Sequence, residues 1–168
     1  LMGPRRVGKT VLLHHAIADR LEHGLDAKKI VLVALDRPLF NGIGLEKFID
    51  WAKQATGADP ADGGLVLFDE IQYLKGWEIH LKRLVDDYPK AKFVVSGSAA
   101  AALRLKSIES GAGRFTDFLL PPLTFYEFLR IQNREEEFFG LRDVPRSDNT
   151  TELNTALFEY MNFGGYPE

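Results

Sequence analysis

Cysteine is absent from this 168-residue chain, which excludes a disulfide scaffold, a thiolate zinc site and a cysteine nucleophile. Long apolar runs are missing too. The longest, Ile30 to Leu35 and Ala99 to Leu103, are about five or six residues, against the roughly 18–20 that a membrane-spanning helix needs. Neither sign of charge dominates: 21 basic residues stand against 24 acidic ones, for a net charge of −3. The basic residues are scattered, so the sequence carries no footprint of a protein that grips a phosphate backbone. It also has no signal-peptide pattern, internal repeat or low-complexity tract. What is present is ordinary for a globular domain. The chain is 45% hydrophobic and 27% charged, which argues against wholesale disorder. A cytoplasmic chain with no direct nucleic-acid signal and no membrane partner is the expectation.

Short apolar runs alternate with helical periodicity, the pattern of an α/β layer fold. Val11, Leu12, Ala16, Ile17 and Leu21 predict a helix from about Lys9 to His23, stopped by Gly24. Ile30 to Leu35 reads as a strand buried on both faces. Leu45, Phe48, Ile49 and Ala52 mark a second helix ending near Gly57. After a loop over 59–64, Leu65 to Phe68 reads as a second buried strand. Trp77, Leu81, Leu84 and Tyr88 line a third helix that Pro89 cannot continue. Phe93 to Val95 and Phe115 to Leu120 are expected to be further strands. Thr124 and Glu127 have capping-box spacing, and Leu153, Ala156, Leu157, Tyr160 and Met161 mark a last helix closed by Gly164 and Gly165. The charged stretch from Gln132 to Asp148 has no readable pattern.

The strongest chemical signal lies at the start. Gly3-Pro4-Arg5-Arg6-Val7-Gly8-Lys9-Thr10, followed by Val11, satisfies every defined position of G-x-x-x-x-G-K-[ST]. Composition alone produces such a match about once in two hundred chains of this make-up. The residue types follow from the task. Glycines let backbone N–H groups turn inward around phosphates, and the next helix presents its positive end. Lys9 is placed to reach the β- and γ-phosphates of a nucleotide, and the Thr10 hydroxyl to ligate Mg²⁺. Arg5 and Arg6 are either further phosphate contacts or solvated side chains.

A second signal follows about sixty residues later, where the apolar run Leu65-Val66-Leu67-Phe68 ends in Asp69-Glu70. Acids at the C-terminal end of a buried strand stand where open α/β sheets bind ligands. Asp69 suits the Mg²⁺ shell, and Glu70 suits orienting or deprotonating an attacking water. GTPases follow their metal-binding Asp with D-x-x-G, whereas this chain has Asp69-Glu70-Ile71-Gln72, and N-K-x-D appears nowhere. ATP is therefore favoured over GTP. Ser96 and Ser98, at the end of the third strand, are candidate sensors of the γ-phosphate and the water if that strand lies between the two motif-bearing strands. His14, His15 and His23 do not share a metal-binding face.

Taken together, these residues resemble the AAA+ superfamily of P-loop ATPases, and within it prokaryotic ATPases whose P-loop domain precedes a C-terminal domain of unknown function. The matching landmarks are the phosphate loop, Asp69-Glu70-Ile71-Gln72, Ser96-Gly97-Ser98, Gly113-Arg114, the stretch from Pro122 to Leu129, and Gly164-Gly165-Tyr166-Pro167-Glu168. The resemblance implies a three-layer α/β/α fold around a five-stranded parallel sheet, with the phosphate-loop strand central and the sensor strand between it and the Asp69 strand. It implies an ATPase core over 1–123 and a helical extension over 124–168 that begins a lid. Only Leu1 and Met2 precede Gly3, so an upstream strand segment and a C-terminal region are expected to be missing from this stretch. It further implies a homo-oligomer or a protein client, with an arginine acting across a subunit interface. Arg114 is the candidate and Arg104 a weaker second.

Three functions use these residues. The leading one is Mg²⁺-dependent ATP hydrolysis coupled to conformational change. The second is a switch that holds ATP or ADP and turns over slowly. The third, a small-molecule kinase, needs an acceptor pocket and an arginine-rich lid that the sequence does not display.

Overall fold

A computed structural model describes residues 1–98, 115–139 and 150–166. The chain divides into two compact units, one of Leu1–Gly3 with Lys9–Leu120 and one of Pro4–Gly8 with Pro121–Glu168. No helix among the described residues is long and apolar enough to cross a membrane.

The first unit is built on three parallel strands in the order β1 (Ile30–Ala34), β2 (Leu65–Asp69) and β3 (Lys92–Val95). Val31 pairs with Val66 and Val66 with Phe93, which fixes the register across all three. Side chains alternate across the sheet. On one face Val66 and Phe68 join Val31, Val33, Leu45, Phe48, Trp77, Leu81 and Leu84. The last five belong to the helices α2 (Leu45–Thr56) and α3 (Trp77–Asp87). On the other face Leu65 and Leu67 meet Leu13 of α1 (Lys9–Glu22), with Ile17 packed beside them. The result is three layers: α1, the sheet, then α2 and α3.

The backbone of Leu1–Gly3 extends the parallel order beyond β3. Met2 bridges Gly97 on one side and Leu119 on the other, both in parallel. Gly97 N–H donates to Leu1 O at 3.1 Å and Leu120 N–H to Met2 O at 2.7 Å. The segment leading into the phosphate loop thus lies between the exit of β3 and residues 118–120. The expected position of the sensor strand, next to the Asp69 strand on one side and the loop-bearing segment on the other, is what the structure has.

Several local expectations need correction. Phe115 to Leu120 is not a regular strand, because only Leu119 forms a bridge. β1 is not fully buried on both faces: Leu32 is 37% exposed, because α1 packs chiefly on Leu65 and Leu67 of β2, with Ile30 of β1 at the edge of that cluster. In α1 the buried apolar residue is Leu13 at 1% exposure, whereas Val11 is 55% exposed and Leu12 and Leu21 are exposed too. The helix meets the sheet along the line of Leu13 and Ile17, four residues apart.

The second unit contains α4 (Phe125–Ile131), α5 (Glu135–Phe138) and α6 (Thr150–Glu159), which runs into a π turn over Tyr160–Gly164. Thr124 and Glu127 form the expected capping box: the Thr124 hydroxyl accepts from Glu127 N–H, and the Glu127 carboxylate accepts from Thr124 N–H at 2.8 Å. Leu129, Phe138 and Ala156 form its core, with Phe125, Phe128, Phe139 and Leu153 around them. Phe138 is the buried anchor in the stretch the sequence left unassigned. In α6 the apolar face runs through Leu153 and Ala156; Leu157 and Met161 are exposed, contrary to the predicted stripe. Tyr160 closes the turn by donating its hydroxyl to Leu123 O at 2.6 Å.

Candidate functional site

The site grows from the alternation of β2. Leu65 and Leu67 face α1, so Asp69, two residues further on, is on the same side of the strand. Thr10 stands in the first turn of α1. Its hydroxyl donates to Asp69 Oδ2 at 2.7 Å. The other carboxylate oxygen, Oδ1, accepts from the Ser96 hydroxyl and from Glu70 N–H, the latter at 3.1 Å. Glu70 N–H also reaches Ser96 Oγ at 3.2 Å. Asp69 is 5% exposed and Ser96 wholly buried, so these bonds replace the water both groups lose on burial.

Lys9 is buried, and its ammonium donates to Gly3 O at 3.2 Å, which ties the two ends of the motif together. Between them, Arg6 has φ 65° and Gly8 φ 92°. At Gly8 that φ is costly for any side chain with a Cβ.

Past Asp69 the chain turns sharply. Glu70 has φ 55° and ψ 48°, an uncommon conformation for a non-glycine residue. It leads into a 3₁₀ turn over Ile71–Tyr73, which is anchored by the buried Ile71 and Leu74. Ile71 N–H donates to Ser96 O at 2.9 Å, locking the turn to the exit of β3. On that turn, Gln72 donates from Nε2 to Glu70 Oε2 and accepts at Oε1 from Ser98 N–H at 3.1 Å.

Thr10, Asp69, Glu70, Ser96 and Ser98 are therefore joined through one hydrogen-bonded chain, in which Gln72 supplies the link to Ser98. Sequence reasoning passed over Gln72 as a site residue; the signal available was an amide two positions after the strand-end glutamate. Ser96 places its hydroxyl on Asp69. Arg5, Arg6 and Val11 are exposed. Arg114 and Arg104 lie outside the described residues. Among the described residues no group of three or more His, Cys, Asp or Glu could hold a metal. A hydroxyl and a carboxylate oxygen meeting at 2.7 Å are nonetheless hard oxygen donors that fit Mg²⁺, which keeps several waters and takes its remaining ligands from substrate phosphates.

An uncharacterized protein of Methanocaldococcus jannaschii is 29% identical over 168 residues, covering 100% of this chain and 35% of its own length. An uncharacterized protein of Haemophilus influenzae is 24% identical over 168 residues, covering 99% of this chain and 38% of its own length. The chain thus spans little more than a third of these relatives. Among solved structures, the Aeropyrum pernix ORC1 protein in complex with DNA aligns with a TM-score of 0.49 at 15% identity, covering 98% of this chain and 50% of that one. The model of one family, described as AAA domain, matches residues 1–129, and the chain belongs to that family of P-loop ATPases.

Proposed function

We propose that this chain is the nucleotide-hydrolysing core of a Mg²⁺-dependent ATPase. The observation that carries the reading is the bonded set Thr10–Asp69–Ser96–Glu70, which joins the end of the phosphate-loop motif to the acids at the end of β2. In this reading the Gly3–Thr10 motif holds the phosphates and Lys9 contacts the β- and γ-oxygens. Thr10 and Asp69 hold Mg²⁺, Asp69 directly or through water. When bound with the nucleotide, the metal offsets negative charge on the phosphate oxygens.

Glu70 accepts a proton from the attacking water as its oxygen bonds to the γ-phosphorus. The bond between that phosphorus and the β–γ bridging oxygen breaks, and ADP and inorganic phosphate leave. Ser96 keeps Asp69 oriented throughout. ATP is favoured over GTP, because the chain has neither the D-x-x-G nor the N-K-x-D pattern of GTPases. Arg114 acts on a neighbouring subunit's nucleotide, which makes the working form an oligomer, and hydrolysis is coupled to movement of a protein client.

Phosphate release by the full-length protein, with Mg-ATP and no acceptor, tests the reading. Multiple turnovers are expected, with Glu70→Gln retaining ATP binding and losing roughly 10²–10⁴-fold in rate. Binding without repeated turnover in the wild type would favour the slow switch. A Glu70→Gln variant as fast as wild type would remove Glu70 from the chemistry.

A further inference from the structure

We propose that Gln72 is the positioning residue for Glu70, holding its carboxylate to the backbone at Ser98 through a two-ended amide clamp. The inference rests on the hydrolytic reading above and deepens it.

The bonding pattern calls for an amide. Nε2 donates to Glu70 Oε2 while Oε1 accepts from Ser98 N–H at 3.1 Å. Turning the amide over would set a carbonyl oxygen against a carboxylate and an NH₂ group against an N–H, repulsive at both ends. Glutamate at 72 would oppose two carboxylates. An apolar residue of the same length would leave both partners without this link.

The clamp stands on a fixed base. Ile71 and Leu74 are buried, and the turn carrying Gln72 is closed by Tyr73 N–H to Glu70 O at 3.1 Å and Leu74 N–H to Ile71 O at 3.1 Å. Glu70 needs such a support. Its side chain has three rotatable bonds, and its left-handed backbone sets it at a kink rather than along the strand. Asp69 is held by Thr10, Ser96 and Glu70 N–H, whereas the Glu70 carboxylate is held by Gln72. A general base misplaced by about 1 Å can lose on the order of 10²-fold in rate.

The test uses the full-length protein with Gln72→Met, Gln72→Glu and the double variant Glu70→Gln/Gln72→Met, each checked for a wild-type thermal melt. Mg-ATP affinity by titration calorimetry should stay within about twofold, and KM with it, because the phosphate contacts are untouched. The value of kcat should fall by about 10–100-fold. The double variant should be no slower than Glu70→Gln alone, since a clamp has nothing to position once the base is gone. A merely structural role would instead multiply the two losses. Wild-type kcat in Gln72→Met alongside an impaired Glu70→Gln would overturn the clamp and leave the ATPase reading standing, as would a kcat above wild type. If Glu70→Gln itself is unimpaired, the hydrolytic reading fails first and the clamp fails with it.

Discussion

Thr10 donates its hydroxyl to Asp69 Oδ2 at 2.7 Å, although 59 positions separate the two residues. One begins the helix after the phosphate loop and the other ends a buried strand, so the bond joins the two motifs directly. If both oxygens hold Mg²⁺, the hydroxyl matters and the methyl group does not. Thr10→Ser should bind Mg-ATP much as wild type does. Thr10→Val keeps the shape but loses the oxygen, and should need about tenfold more Mg²⁺ for half-maximal nucleotide binding, the scale of a hydrogen bond to a charged group. A magnesium titration monitored by nucleotide fluorescence checks this; identical midpoints for Val and Thr would take Thr10 out of the metal shell.

A second prediction concerns the entry to β2. A Cβ on Gly64 would lie 2.3 Å from Pro60 O and 2.4 Å from Lys29 O, both backbone atoms that cannot swing aside. Gly64 N–H donates to Pro60 O and Gly64 O accepts from Lys92 N–H, so the residue cannot easily shift either. Gly64→Ala should therefore destabilise the protein by about 1–3 kcal/mol, as overpacking does. Urea denaturation should record a lower midpoint, and an unchanged one would contradict the crowding argument.

What was legible in the sequence was local. The phosphate loop is a contiguous pattern, and the apolar run of β2 announces the acids at its end. Gly57 and Gly24 stop their helices as predicted, with φ 71° and 85°. What was not legible depended on partners distant in the chain. The first helix carries apolar residues at 11, 12, 13, 16, 17, 18 and 21, enough for more than one face, and only packing on Leu65 and Leu67 selects Leu13. Phe115 to Leu120 has a strand-like composition, yet a ladder needs a neighbour along its length, and pairing is confined to Leu119 opposite Met2. Gln72 was overlooked because its significance lies in a bond to Ser98, 26 positions away.

The capping box of α4 gives a pH-dependent prediction. The Thr124 backbone N–H, followed by the Thr124 hydroxyl, holds the Glu127 carboxyl below its ordinary value of 4.5. A depressed folded pKa contributes stability that is fully present above the unfolded value and is lost as pH falls through the folded one. Both groups are exposed, so the effect is small and screened by solvent. The difference in urea midpoint between wild type and Glu127→Gln should hold steady from neutral pH down to the ordinary glutamate range, then shrink below it. A difference that persists in acid would mean that the carboxylate charge plays no part in the cap.

The last prediction concerns Arg114. An arginine that neutralises charge developing on the transferred phosphoryl group can be worth on the order of 10³–10⁵ in rate. If Arg114 reaches a neighbouring subunit's nucleotide, Arg114→Ala should bind ATP normally and hydrolyse it poorly. A subunit carrying Glu70→Gln has a dead site but keeps its arginine. One carrying Arg114→Ala has an intact site but offers no arginine to its neighbour. Mixing the two should restore part of the lost hydrolysis, because some hybrid interfaces pair an intact site with an intact arginine. If native mass spectrometry confirms mixed oligomers and activity does not return, the trans-acting role is wrong. If Arg114→Ala alone hydrolyses like wild type, Arg114 has no part in the reaction. Because each single mutant is impaired for a different reason, recovery in the mixture could arise only from chemistry shared across the interface.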